Sequence, residues 1–349
     1  MPFETIRIAI VGAGRNTVER HIPGLLAQED VQITGVCNRS RESSQRVADR
    51  FEIPNVFDDW RQLVEAGNSD AVVVGTWPYL HMPVSVAALQ AGKHVLCEAR
   101  MAMNLAEARQ MYAAARERPH LVAQLVPAPA TLEVDATVRR LLANDYLGDL
   151  LAIEVRQQRG FVDRDAPLHW REDSYLSGLN VMSLGIWYEI VMRWVGEATE
   201  VMAMGQTVVK TRVEEESGRR RAIQIPDYLV VSAAMACGAQ ATFLISNVTG
   251  NAPQNGITLY GSKATLQFAD GALCGGGRSD GGLQPITIPA EERGGWRVEE
   301  AFINAIRGTE DVELTTFADG VKYMAFTEAV ARSLADRCAV PLSVLGTAL

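Results

Sequence analysis

The 349-residue sequence has few histidines and no cysteine pair at metal or redox spacing, and no hydrophobic run approaches the length of a membrane span. Its five cysteines (Cys37, Cys97, Cys237, Cys274 and Cys338) are odd in number and widely separated, and there are only five histidines. That pattern argues against a structural zinc site or any other metal site, and it leaves no disulfide framework. Cys37 and Cys97 close apolar runs, where buried free thiols are common, so the expected compartment is reducing and cytoplasmic. An excess of basic residues is also missing: 33 Lys and Arg stand against 42 Asp and Glu, a net charge of -9. This argues against nucleic acid and against an anionic membrane surface as partners. The N-terminus carries no signal-peptide pattern. What remains is an ordinary composition, 48% hydrophobic and 21% charged, with length for roughly two domains and a sizeable core.

The chain opens on Ile6-Arg7-Ile8-Ala9-Ile10-Val11, an apolar and largely β-branched run suited to a strand buried on both faces of a parallel sheet. Gly12 and Gly14 follow at once, before a helical pattern from about Val18 to Ala27. A strand, a glycine turn and a helix N-terminus form a phosphate cradle: one glycine permits the tight turn, the other lets backbone approach a pyrophosphate. Arg15 and Asn16 stand in the same turn. The usual third glycine is absent, since Thr17 holds its place, and the motif alone is also compatible with glycines kept for geometry.

A second strand, Val31 to Cys37, ends in Asn38-Arg39-Ser40-Arg41. A domain that binds NAD usually places an acid there for the ribose 2′-hydroxyl. An amide, two guanidiniums and a hydroxyl offer a 2′-phosphate no repulsion, which favours NADP, with NAD possible. A bare helix cap at Ser40 flanked by solvated arginines is the other reading. Strands at Asp70 to Gly75, His94 to Cys97 and His120 to Leu125 alternate with helices, the signature of a doubly wound parallel sheet. Ligands bind at the C-terminal ends of such strands, where Thr76, Trp77, His81, Glu98, Ala99 and Arg100 fall.

These features together resemble the GFO/IDH/MocA family, the glucose-fructose oxidoreductase and inositol dehydrogenase group. Besides the glycine turn, the matching residues are His21, the run from Thr76 to His81, and Ala91-Gly92-Lys93-His94-Val95-Leu96-Cys97-Glu98. Trp170-Arg171, Ile257 to Ser262 and Phe302 to Gly308 also match, so the likeness covers nearly the whole chain. The resemblance implies an N-terminal Rossmann domain over residues 1–126. It also implies an α+β domain over 127–349 with a large, mostly antiparallel open sheet, which binds substrate and pairs subunits into a homodimer or homotetramer.

The resemblance breaks at the family's proton-handling groups. The lysine of the usual Glu-Lys-Pro triplet is Ala99 in Glu98-Ala99-Arg100, and the usual Asp and His are Ser183 and Trp187. Loss of an alcohol proton needs a positioned base, worth ~10²–10⁴-fold. Candidates for a rebuilt site are Arg100 as an anion clamp, His169 as a general acid, and Tyr188 as a proton donor or acceptor. Each has a bland counterpart: loop surface for His169, helix packing for Tyr188. Trp77, Tyr79, Trp170 and Trp187 would suit a planar or apolar small-molecule substrate. The leading expectation is an oxidoreductase acting on a carbonyl or alcohol carbon. Alternatives are an inert nucleotide- or ligand-binding regulator, and a lyase or hydrolase that retains its nicotinamide.

Overall fold

The computed structural model describes residues 4–346, which fall into two compact units. Among the described residues the first comprises 4–127 with Arg297–Val321, and the second Ala128–Trp296 with 322–346.

In the first unit β1 (Ile6–Val11) pairs in parallel with β2 (Val31–Cys37) on one side and β3 (Ala71–Val74) on the other. β4 (His94–Cys97) and β5 (Ala123–Leu125) complete the order β2-β1-β3-β4-β5. Ile8, Ile10, Val72 and Val74 are fully buried, as a strand covered on both faces requires. Between the strands run α1 (Ile22–Leu26), α2 (Arg41–Phe51), α3 (Trp60–Glu65), α4 (His81–Gln90) and α5 (Leu105–Arg116). The chain leaves β1 towards β2 and returns to β3 on the opposite side. The glycine turn after β1 therefore lies at the point where strand order reverses, where such sheets bind ligands.

The helix expected from Val18 begins as a π-helical turn, Thr17–His21, before α1. Pro23 explains the widening. Its ring would collide with the carbonyl four residues back in a regular helix, and it has no N–H to give. The Ile22 N–H reaches back five residues to the Thr17 carbonyl instead.

The second unit holds α6 (Asp135–Ala143), then β6 (Leu150–Gln158), the short α7 (Ser174–Ser177) and α8 (Leu184–Val195). After these come β7 (Ala198–Gln206), the hairpin β8 (Thr211–Val213) and β9 (Arg220–Ala222), β10 (Tyr228–Met235) and β11 (Gln240–Ser246). The remaining strands are β12 (Gly256–Gly261), β13 (Ala264–Ala269), β14 (Ala272–Gly277) and β15 (Gln284–Pro285). Helices α9 (Val298–Ile306) and α10 (Phe317–Asp336) follow, then the edge strand β16 (Val340–Pro341). The nine-stranded sheet has the order β15-β14-β13-β12-β6-β11-β10-β7-β16, antiparallel except between β6 and β11. Alternation gives it one packed face: Leu229, Val231, Ala241, Phe243 and Ile245 are fully buried. On β7 the alternate residues Met202 and Met204 face the other way and are exposed.

Residues 297–321, grouped by chain order with the second domain, join the first unit. Leu125 N–H donates to the Thr315 carbonyl at 2.9 Å, a main-chain bond along β5 that leaves no periodic trace in sequence. The glycine-rich stretch Gly271–Gly282 contains β14. A Cβ on Gly275 would lie 2.5 Å from the Tyr146 hydroxyl, so that glycine answers a close approach. The charged turn Glu214–Arg221 belongs to the β8–β9 hairpin, where Arg221 pairs with Glu214 and Asp173.

Candidate coenzyme crevice and the residues around it

A crevice of about 560 Å³ opens in the first unit beside the glycine turn, a size suited to part of a dinucleotide. Its walls include Gly12, Gly14, Asn38, Arg39, Thr76 and Trp77. Gly12 has φ +86°, and a Cβ there would come within 2.5 Å of Thr76 Cγ2 and 2.6 Å of the Thr76 nitrogen. Gly14 differs: a Cβ would meet only the Gly75 carbonyl oxygen, at 3.7 Å. The protein itself does not need a glycine at 14. Thr76 Oγ1 is buried and has no hydrogen-bond partner. An orphaned hydroxyl, a bare glycine backbone and the unpaired N–H groups of a helix start fit a dinucleotide diphosphate.

The four residues after β2 divide their work. Asn38 Oδ1 accepts the Ala13 N–H at 2.6 Å while its Nδ2 donates to the Ser43 carbonyl at 3.2 Å, so Asn38 clips β2 to the glycine turn. Ser40 caps α2 by accepting from Ser43 N–H. Arg41 pairs with Asp58 at 2.9 Å. Arg39 is exposed, with its guanidinium 5.9 Å from the centre of the Trp77 ring. Sequence reading missed Asp58, Asp59 and Trp60, which also line the crevice. Asp59 reads there only as the α3 N-cap, accepting from Arg61 N–H.

Arg15 lies on the surface, paired with Glu19 at 3.0 Å. Asn16 turns inward to Glu98. His81, expected among coenzyme contacts, is fully buried beneath them. Its Nδ1 and Nε2 stand 2.9 Å from the carbonyls of Arg100 and Thr76. Burial pushes its pKa down, so the neutral ring donates to one carbonyl at a time and ties the ends of β3 and β4 together. Glu98 Oε1 accepts from His21 Nε2 at 3.1 Å, and Oε2 accepts the Ala99 N–H at 3.1 Å. Burial works against the Glu98 charge, but the His21 hydrogen bond and charge outweigh it and hold the carboxyl below its usual range. Arg100 is 3% exposed.

In the second unit, His169 caps a short 3₁₀ turn, its Nδ1 accepting from Arg171 N–H at 3.2 Å, and its ring stacks on Trp170. Burial and the nearby Arg171 push its pKa down. A ring that accepts at Nδ1 is neutral and carries its proton on Nε2. The β8–β9 hairpin steadies this loop through Arg212, which bonds Glu172 and the carbonyls of Asp163 and Ala166.

Tyr188 does not take the place expected of it. It is fully buried, stacks on Phe326 with centroids 3.6 Å apart, and its hydroxyl accepts the Ala198 N–H at 2.9 Å. Burial raises its pKa, which further unfits it for proton transfer. Trp187 is 8% exposed and part of the core, and Ser183 bonds to Gln157. The four aromatic residues are not gathered within one unit: Trp77 and Tyr79 line the coenzyme crevice, while Trp170 and Trp187 lie in the second unit. Among the described residues no group of three His, Cys, Asp or Glu is placed to hold a metal, and no helix is long and apolar enough to cross a membrane.

Residues 6–124 match a family model described as the GFO/IDH/MocA oxidoreductase family, NAD-binding Rossmann fold, and residues 136–267 match that family's C-terminal domain. A trans-1,2-dihydrobenzene-1,2-diol dehydrogenase of Sus scrofa is 26% identical over 270 residues, 77% of this chain and 76% of that protein. A D-glucoside 3-dehydrogenase of Escherichia coli is 28% identical over 46% of this chain and 45% of its own. Among solved structures, an oxidoreductase domain protein from Kribbella flavida superposes with a TM-score of 0.84 at 24% identity, over 97% of this chain and all of that one. A levoglucosan dehydrogenase bound to NADH and L-sorbose does so at 0.82 and 20% identity, over 97% of this chain and 98% of that one. These two share the fold. The chain belongs to the GFO/IDH/MocA family and is an NAD(P)-dependent oxidoreductase.

Proposed function

Taking that membership as the premise, we propose that the chain transfers hydride between NADP and a small secondary alcohol or ketone, at a site without the family's lysine, aspartate and histidine. The nicotinamide supplies or takes the hydride. The observation that carries the coenzyme choice is the end of β2. Asn38, where NAD domains place an acid, is neutral and spent on the glycine turn, and Arg39 stands at the crevice wall. A 2′-phosphate there meets Arg39, Ser40 and the start of α2. Asp58 and Asp59 favour a second reading, NAD, because two carboxylates in the same crevice oppose a phosphate. The relative bound to NADH points the same way.

With Ala99, Ser183 and Trp187 in the proton-handling positions, the reductive direction is the easier one. A ketone needs polarisation and one proton, which neutral donors supply. We assign polarisation of the carbonyl oxygen to Arg100, whose guanidinium stays charged and is a poor base. The proton is assigned to a water molecule from solvent, oriented by the His169 Nε2–H, since a neutral imidazole that gave up that hydrogen itself would be left as an anion. A ring-bearing substrate is the best class to try, since the relatives named above are dehydrogenases of a cyclic diol and of a glucoside.

A fluorescence titration with NADPH and NADH decides the coenzyme. NADPH should bind at least about tenfold more tightly, and Arg39→Ala should erase most of that margin. Equal binding, or an unchanged margin in the variant, sinks the NADP assignment. With the better coenzyme, a panel of cyclic ketones should be reduced; tight binding without turnover on any ketone or alcohol would overturn hydride transfer.

Met202 and Met204 are apolar and exposed on the sheet's outer face, and we assign that face to a second copy of the chain in a homodimer or homotetramer. Sedimentation should give a mass at least twice 38.0 kDa; a monomer at micromolar concentration rules this out. Five unpaired cysteines keep the reducing cytoplasm as the assigned compartment.

A further inference from the structure

His21 is fully buried in the π-helical turn that follows the coenzyme cradle. Its Nε2 stands 3.1 Å from Glu98 Oε1 and its Nδ1 2.5 Å from Glu299 Oε1. A ring flanked on both nitrogens by carboxylate oxygens must donate from both, so it is an imidazolium. Burial pulls its pKa down, but the bonds and charges of Glu299 and Glu98 more than reverse this, and it is raised to about 9. The charged groups facing the ring come from two other elements, Glu98 at the end of β4 and Glu299 on α9. Neutral Asn16 lies 3.3 Å away, and His81 acts only on Glu98. Gly24 makes room for the clamp: a Cβ there would sit 2.8 Å from Glu299 Oε2.

We propose that His21, held between Glu98 and Glu299, is a positioning residue for the coenzyme. Through Glu98 it fixes Asn16 and the turn whose N–H groups meet the diphosphate, and it cancels one of two buried negative charges beside that turn. The inference rests on the coenzyme reading above. Without the His21 proton, Glu98 and Glu299 leave two net negative charges where the turn must receive an anion. Coenzyme binding and protonation of His21 are then reciprocal, each strengthening the other. The ring's proton is held more tightly in the folded chain than in the unfolded one. The clamp's contribution to stability is therefore complete below about pH 6.5 and is lost as pH rises through about 9.

The test is an NADPH and NADH titration of the full chain from pH 7 to 10, with ¹⁵N-histidine NMR of the same samples. In the native protein one histidine should stay doubly protonated to about pH 9, and affinity should be flat to about pH 8 and weaken about tenfold by pH 10. Glu299→Gln keeps an acceptor but removes a charge. It should move both the NMR transition and the affinity break down by at least about one pH unit. His21→Gln should bind about tenfold or more weakly at pH 7 and show no break. Should His21→Gln fail to fold, Glu299→Gln carries the test alone. A break at the same pH in both proteins, or variant affinities within about twofold of native throughout, overturns the positioning role while the coenzyme reading stands. A native chain that binds neither coenzyme fails the coenzyme reading first, and the inference with it.

Discussion

The two ends of this molecule's chemistry are built in opposite ways. Around the coenzyme crevice polar groups are kept and several are tied to one another, while the Thr76 hydroxyl is left open: Asn38 clips the glycine turn, His81 ties two strand ends, and Glu98 takes bonds from His21, Asn16 and Ala99. In the second unit, the segment that the family resemblance marks for proton transfer is packed into the core. Trp187 and Tyr188 are core, and Ser183 is taken up by Gln157. Polar networks that are fully satisfied specify one geometry, whereas apolar substitutions in a core are tolerated if volume is kept.

Glycine substitutions at the cradle give the largest effect and break the comparison most directly. Gly12→Ala puts a Cβ against the Thr76 backbone in a positive-φ conformation, so coenzyme affinity should drop at least about a hundredfold and stability should fall with it. Gly14→Ala meets nothing closer than 3.7 Å. Its melting temperature should stay within about two degrees of native while affinity falls about ten- to a hundredfold. Calorimetry and fluorescence titration separate the two. If Gly14→Ala binds coenzyme normally, the second glycine serves the turn alone and the crevice loses its main support as a diphosphate site.

The first unit was legible in sequence because its signals are local. A buried strand, a glycine turn and a helix start follow one another between Ile6 and Leu26, and Asn38 to Arg41 sit where β2 ends. The clamp was not legible, since its parts, His21, Glu98 and Glu299, are 77 and 278 residues apart and nothing in sequence pairs them. Asp58 and Asp59 were passed over for a related reason: an acid before Trp60 reads as a helix cap, and its second role depends on the β1–β2–α3 arrangement. In the second unit a helix was visible over Val181 to Val195, and the structure starts it at Leu184, but it is apolar on most of its circumference, so sequence gives no solvent face from which to tell a pocket residue from a core one. Tyr188 was misplaced there for that reason.

Tyr188 offers the smallest and sharpest comparison, because Tyr188→Phe removes one oxygen and nothing else. The ring keeps its stack on Phe326 and its contact with Phe243. What is lost is the acceptor for the Ala198 N–H, at a residue 4% exposed. A buried donor left without a partner costs about 1–3 kcal/mol. Shared over a chain of this size, that lowers the melting temperature by a few degrees. Turnover at 25 °C should not change, since a fully buried hydroxyl in the core is not placed to reach a substrate. A drop in kcat of about a hundredfold with an unshifted melting temperature would return Tyr188 to the chemistry, and the second unit would then hold a polar catalytic group after all.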